Sequence, residues 1–126
     1  MPAFKALMTA IYPTADLARA KAWYAEVFGV APYFDEPFYV GFNVSGYELG
    51  LIPAEPPQNE PGHRGVVAYW GVDDVAAAHA RLLTLGATEL GAVQDVGGGI
   101  RVSMVADPDG NALGVIENPH FGVKSA

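Results

Sequence analysis

The two halves of this chain repeat one order of residues, and this repeat limits the possible folds more than any other feature. In each half an aspartate, Asp16 or Asp74, begins an alanine-rich stretch that ends at a glycine. The motif Gly-x-x-Leu-Gly-x-Ile comes later in each half, at residues 46–52 and 110–116. The repeat of about sixty residues is longer than the roughly 20 to 50 residues of common solenoid repeats. We therefore interpret the halves as paired modules of one domain, with a ligand cleft expected between them.

Length and composition agree with this interpretation. Domains most often hold roughly 100–150 residues, so a chain of 126 residues fits one of them. Hydrophobic residues make up 51% of the chain, which is enough for a sizeable core and argues against disorder. Four prolines lie between residues 53 and 65, a composition typical of a connector. We predict a single domain over residues 1–126, with a module at 5–52, a proline-rich connector at 53–65 and a module at 66–118.

The charge of the chain restricts its partners. The net charge of −7 repels polyphosphate and anionic membrane surfaces, so we expect neither nucleic acid nor a membrane as a partner. A cationic or neutral small ligand suits the chain better, although acidity more commonly serves solubility alone. The absence of cysteine excludes disulfides and thiolate chemistry. With no long apolar run and no secretory pattern at the first residues, we expect a cytoplasmic protein.

The spacing of apolar residues predicts the same order of elements in both halves. Helices are expected from the cap Asp16 to Gly29, and from Asp73 or Asp74 to Gly86, because apolar residues recur there every three or four positions. Strands are expected at 5–12, 31–35, 38–44 and 47–52, and again at 66–72, 88–94, 100–106 and 112–117. Pro13 is expected to end the first strand. The order strand–helix–three strands, given twice, predicts an α+β fold whose two sheets enclose a cavity.

Three sequence segments resemble parts of the vicinal oxygen chelate superfamily. Residues 16–29 resemble its first helix, residues 72–83 its second helix and residues 107–111 its final hairpin. This superfamily is the glyoxalase / bleomycin-resistance / extradiol-dioxygenase group, and the resemblance covers residues 5–118. It implies two βαβββ modules that form an eight-stranded open cup, and usually a homodimer.

Metal-dependent members of that superfamily hold their ion with four His, Gln or Glu side chains, one from the first and one from the last strand of each module. Counting from the helix caps and hairpin glycines, these positions hold Thr9, Gly50, Val67 and Gly114. None of them offers the imidazole or carboxylate that a divalent ion needs, and their neighbours are no better. We therefore expect no bound metal and no cofactor, which speaks against glyoxalase and dioxygenase chemistry.

The three histidines do not change this expectation. His63 lies in the connector, His79 on a predicted helix and His120 in the tail, and no metal-ligand spacing relates them. We expect all three to be surface histidines.

Glu48 is the one candidate for a catalytic role. It lies two residues before Gly50 and should share its face, the interior of the cup. There it could act as a general base or as the counter-charge of a cationic ligand. The alternative is a carboxylate at the sheet rim, paired with an arginine or hydrated.

Other residues are candidates for the wall of the cavity. Gly50 and Gly114 either leave the floor open for a flat ligand or relieve crowding in the cup. Tyr69 should look into the cup, whereas Trp70 should face the helix side or a dimer partner. Aromatic residues of the first half can stack on a flat ligand. The predicted ligand-binding residues are Thr9, Phe42, Glu48, Gly50, Val67, Tyr69, Trp70 and Gly114.

Three functions are compatible with these residues. The first is a metal-free protein of the bleomycin-resistance type that binds a small organic, cationic aromatic ligand. The second is a glyoxalase-like lyase or isomerase that acts on a small carbonyl compound with Glu48 as its base. The third is a subunit or sensor without a small ligand.

Overall fold

The computed structural model describes residue 3 and residues 5–121. Within that part of the chain, the order strand–helix–three strands occurs twice, as the sequence predicted. The first module consists of β1 (Thr9–Thr14), α1 (Leu17–Phe28), β2 (Phe34–Glu36), β3 (Tyr39–Val44) and β4 (Tyr47–Pro53). The second consists of β5 (Ala68–Gly71), α2 (Val75–Thr84), β6 (Thr88–Gly97), β7 (Ile100–Ala106) and β8 (Ala112–Glu117). The predicted α+β fold is confirmed.

Each module forms its own four-stranded sheet, and neither sheet closes into a barrel. The strand orders are β1-β4-β3-β2 and β5-β8-β7-β6. The first strand of each module pairs in parallel with the last one, and the other pairs are antiparallel. Corresponding strands therefore have the same neighbours in both modules, as a repeated sequence requires.

The helix ends follow from single residues. The side chains of Asp16 and Asp74 accept hydrogen bonds from the backbone N–H groups of Arg19 and Ala77, both at 3.1 Å. These bonds satisfy donors that have no partner inside the helix, so both predicted caps are confirmed. Gly29 ends α1 with a φ of 67°, a left-handed conformation that favours glycine.

The first strand differs from its prediction. It spans Thr9–Thr14 instead of 5–12, and Pro13 lies inside it. The reason is its place in the sheet: β1 is an edge strand, where one side of the backbone needs no partner and proline is tolerated. Pro13 therefore does not end the strand.

One hydrophobic core joins the two modules. The buried side chains of both sheets and both helices form a single cluster. Aromatic contacts cross the boundary, because the ring of Phe28 lies 5.2 Å from that of Trp70. The carboxylate of Asp109 also accepts hydrogen bonds from Thr14 at 2.6 Å and Arg19 at 2.7 Å. We call the face of each sheet that points away from this core its cup face. Among the described residues, no helix is long and apolar enough to cross a membrane.

Candidate functional site

Glu48 lies on the cup face of the first sheet, surrounded by hydroxyl groups. It occupies β4, where its register partners are Thr9 on β1 and Asn43 on β3. The Thr9 hydroxyl donates to Oε1 at 2.8 Å, and the Tyr33 hydroxyl donates to Oε2 at 2.5 Å. The Tyr39 hydroxyl lies near enough to lower the pKa of this carboxyl further. We call Thr9, Tyr33 and Tyr39 the hydroxyl ring of Glu48.

The hydroxyl ring keeps Glu48 ionised. Desolvation raises the pKa of this carboxyl, but the hydrogen bonds from Tyr33, Thr9 and Tyr39 together outweigh it and lower the pKa below its usual value. The partners respond in the opposite direction. Desolvation and the neighbouring carboxylate raise the pKa of Tyr39 to about 12, so this hydroxyl keeps its proton.

The negative charge of Glu48 has no cationic neighbour in the described residues. The four ion pairs found there involve Arg19, Lys21, His79 and Arg101, and none of them reaches Glu48. A carboxylate offers about four acceptor sites, of which the hydroxyls of Thr9 and Tyr33 use two. Glu48 therefore presents a charge without an ion-pair partner among the described residues, and free acceptor sites, on an accessible surface.

A cluster of four aromatic side chains extends from this carboxylate, beginning with Tyr33 and Tyr39. Tyr33 and Phe38 are 64% and 66% exposed, although both are large and aromatic. Phe34 lies between them, with its ring 6.4 Å from that of Tyr33 and 6.0 Å from that of Phe38. The ring of Tyr39 lies 5.9 Å from that of Phe34. We call these four residues the aromatic cluster.

The two glycines predicted to form the floor of the cavity, Gly50 and Gly114, are covered by tyrosine rings of the same chain. A Cβ built on Gly50 would overlap the hydroxyl of Tyr39, and one built on Gly114 would lie 2.6 Å from Cδ1 of Tyr69. Both glycines thus provide space for a protein side chain. A flat ligand on these floors would have to stack on the tyrosines or displace them.

The structure brings together only part of the predicted site. Thr9, Glu48 and Gly50 lie side by side on the first sheet. Tyr69 and Gly114 are register partners on the second sheet, and Val67 immediately precedes β5.

Phe42 and Trp70 lie elsewhere. Phe42 is 0% exposed and belongs to the core between the first sheet and α1. Trp70 packs against the same core, and its indole N–H donates to the Tyr12 hydroxyl at 3.3 Å. Trp70 thus faces the helix side, as expected because consecutive strand residues point to opposite faces and Tyr69 was assigned to the cup.

Sequence reasoning missed the role of Tyr33. The predicted strand 31–35 includes this residue, but β2 begins only at Phe34, so the alternation of side chains along a strand does not describe Tyr33. The only available signal was its place in a run of aromatic residues on the predicted hairpin.

The expectation of a surface position for His79 is wrong. Its side chain is only 6% exposed and lies between α2 and the second sheet. Its ring nitrogens lie 2.8 Å from the Ser103 hydroxyl and 2.6 Å from the Glu89 carboxylate. Because Ser103 is itself buried, this Ser–His–Glu arrangement does not expose a nucleophile and ties α2 to the sheet instead.

The residues at the superfamily's metal positions do not fit a divalent ion. The Thr9 hydroxyl donates a hydrogen bond to Glu48, and the Val67 side chain has no atom that can bind a metal. Tyrosine rings occupy the space beside Gly50 and Gly114. Within residues 5–121, no group of three or more His, Cys, Asp or Glu side chains is placed to hold a metal.

Comparison with solved structures supports the fold. A glyoxalase-related enzyme from Fulvimarina pelagi is 24% identical, with a TM-score of 0.78 over 98% of this chain and 96% of that one. Lactoylglutathione lyase from Agrobacterium tumefaciens is also 24% identical, with a TM-score of 0.73 over 96% and 99% of the two chains. A glyoxalase/bleomycin resistance protein/dioxygenase family enzyme from Burkholderia phytofirmans is 19% identical, with a TM-score of 0.75 over 88% and 97%.

Sequence comparison supplies the family. No curated protein matches the chain significantly. A family model does match, over residues 6–115, which is most of the chain. This chain therefore belongs to the glyoxalase/bleomycin resistance protein/dioxygenase superfamily.

Proposed function

We propose that this protein binds a small, cationic, aromatic molecule without a divalent metal, on the cup face of its first sheet. The observation that carries the proposal is the environment of Glu48. An ionised carboxylate accepts hydrogen bonds from two hydroxyl groups, forms no ion pair with a described residue, and lies next to the exposed ring of Tyr33. A flat aromatic cation complements this surface, because its charge can pair with the carboxylate and its ring can stack on the aromatic side chains.

The same geometry favours binding over proton abstraction. A general base works best when its pKa lies near the working pH. The hydroxyl ring lowers the pKa of Glu48, which makes the carboxylate a poorer proton acceptor. It also fixes both oxygens in place, which suits a permanent counter-charge.

Binding of 1-methylquinolinium, with its neutral isostere 1-methylnaphthalene for comparison, tests the proposal. Replacing Glu48 with Gln keeps the size of the side chain and removes its charge. We expect E48Q to weaken binding of the cation by up to about fivefold, since an ion pair at an accessible surface contributes about 0.2–1 kcal/mol. The neutral isostere should bind both proteins equally. The control is E55Q, which removes one charge from the exposed connector.

The pH dependence gives a second measurement. Because the pKa of Glu48 is lowered, the carboxylate stays charged as the pH falls to its usual carboxyl range. Affinity for the cation should therefore stay constant from pH 8 to about 5 and be lost only below that range. Equal affinity of E48Q and the unmodified protein, or a loss of affinity centred near neutral pH, would contradict the proposal.

The second candidate is a lyase or isomerase acting on a small carbonyl compound with Glu48 as its base. It predicts a different result for the same variant. E48Q would then abolish turnover of that compound and leave its binding largely intact.

A further inference from the structure

A crevice lies between the two modules on the helix side of the molecule, away from both cup faces. The end of α1 forms one wall, with Val27 and Phe28. The segment 70–72 and the inner side of α2, with Ala78 and Leu82, form the other. Its volume is about 150 Å³.

The lining is apolar apart from one residue. Aliphatic and aromatic side chains form the walls, and Arg81 is the only charged residue among them. A space of about 150 Å³ with apolar walls is large enough for a benzene-sized molecule. Size and lining together define the buried part of a ligand as a single aromatic ring or a short branched chain.

Arg81 determines which polar group the ligand would carry. Its Nη2 atom donates to the backbone oxygen of Glu26 at 2.8 Å, which holds the guanidinium at the rim of the crevice. None of the ion pairs among the described residues includes Arg81. A guanidinium carries five N–H donors, so several of them remain for a planar anion, which they bind in pairs.

We propose that this crevice binds a small apolar carboxylate, with its hydrocarbon part among the apolar side chains and its carboxylate on Arg81. The site is distinct from the cup face in position, and its ligand has the opposite charge from the one proposed there. The two proposals therefore stand or fall separately.

Benzoate is the probe for this site, with toluene and benzylamine as neutral and cationic comparisons of similar size. Backbone amide shifts measured by ¹H–¹⁵N NMR report where each compound binds. We expect benzoate to cause saturable shifts at Gly71, Val72 and Ala78, and toluene and benzylamine to bind at least about tenfold more weakly, because they lack the charge-assisted hydrogen bonds.

Two variants localise the effect. R81Q should weaken benzoate about tenfold, whereas R64Q, which makes the same change in the exposed connector, should not alter it. A78L should fill the crevice and block benzoate while the rest of the spectrum shows a folded protein. The proposal is overturned if benzoate gives no saturable shift, if its shifts lie on the cup faces, or if R81Q or A78L binds it as the unmodified protein does.

Discussion

The ring of Tyr69 occupies space that a side chain at position 114 would need. A Cβ on Gly114 would lie 2.6 Å from the ring, and the backbone of Gly114 itself has no positive φ that only glycine tolerates. Glycine is therefore required at 114 for space alone. Replacing Gly114 with alanine therefore tests only the contact between the new methyl group and the Tyr69 ring, because alanine can adopt the same backbone conformation.

We predict that Gly114→Ala changes the sign of its effect with the residue at position 69. With Tyr69 present, the added methyl group should lower the free energy of unfolding by about 1–2 kcal/mol through overpacking. In a Tyr69→Ala background, the same substitution should raise it by about 0.5–1 kcal/mol, because alanine loses less backbone entropy than glycine. Urea unfolding of the four proteins of this double-mutant cycle measures both values. Equal effects in the two backgrounds would show that Tyr69 does not occupy this space.

Strand parity explains which site residues could be predicted from the sequence. It assigned Glu48 and Gly50 to one face and Tyr69 and Trp70 to opposite faces, because both pairs lie inside regular strands. It did not apply to Tyr33, because the predicted strand 31–35 includes this residue whereas β2 begins at Phe34. The buried contacts of His79 were also unpredictable, since they depend on how α2 packs on its sheet.

Among the elements, α1 and the turn between β7 and β8 are joined by a buried hydrogen bond. The Tyr24 hydroxyl donates to Oδ2 of Asp107 at 2.6 Å, and the two side chains are 1% and 4% exposed. Desolvation raises the pKa of Asp107, in opposition to the hydrogen bonds from Tyr24 and Asn111, which lower it. The contact thus supports a carboxylate that burial alone would disfavour.

We predict that Tyr24→Phe lowers the free energy of unfolding by about 1.5–3 kcal/mol at pH 7, the usual contribution of a hydrogen bond to a charged group. Removal of the donor should raise the pKa of Asp107 further. The loss of stability arises only while Asp107 is ionised. It is therefore fully present above the pKa of Asp107 in the folded protein, and it declines as the pH falls through that pKa. Thermal unfolding at pH 7 and pH 4 should therefore show a smaller difference at pH 4. Tyr47→Phe, at an exposed tyrosine, is the control and should change stability little.

The sequence predicted elements better than the contacts between them. Both helix starts follow from a single aspartate each, whose short-range hydrogen bond needs no tertiary contact. The start of β1 was misplaced, because its extent depends on where β4 pairs with it. Local chemistry fixes a cap, whereas pairing with a distant strand fixes the bounds of a strand.

At the scale of the whole molecule, the repeat in the sequence predicted two equivalent sheets but not how they meet. The core between the modules depends on contacts such as Phe28 with Trp70, which have no counterpart in the repeat. It buries one face of each sheet and leaves the cup faces open. Ile11 and Tyr69, which lie opposite Gly50 and Gly114 in the register, remain 46% and 45% exposed. Phe34, which lies opposite Gly41 of β3, remains 38% exposed.

The exposed apolar side chains on the cup faces lead us to expect a homodimer, because monomers rarely leave large apolar patches uncovered. Sedimentation velocity over a range of concentrations should show a dimer that dissociates on dilution. Ile11→Gln places a polar amide on the cup face of the edge strand β1 and should shift this equilibrium toward the monomer. Leu83→Gln makes a similar change on the outer side of α2, where Leu83 is 39% exposed, and should leave it unchanged. A monomer at every concentration would contradict this expectation.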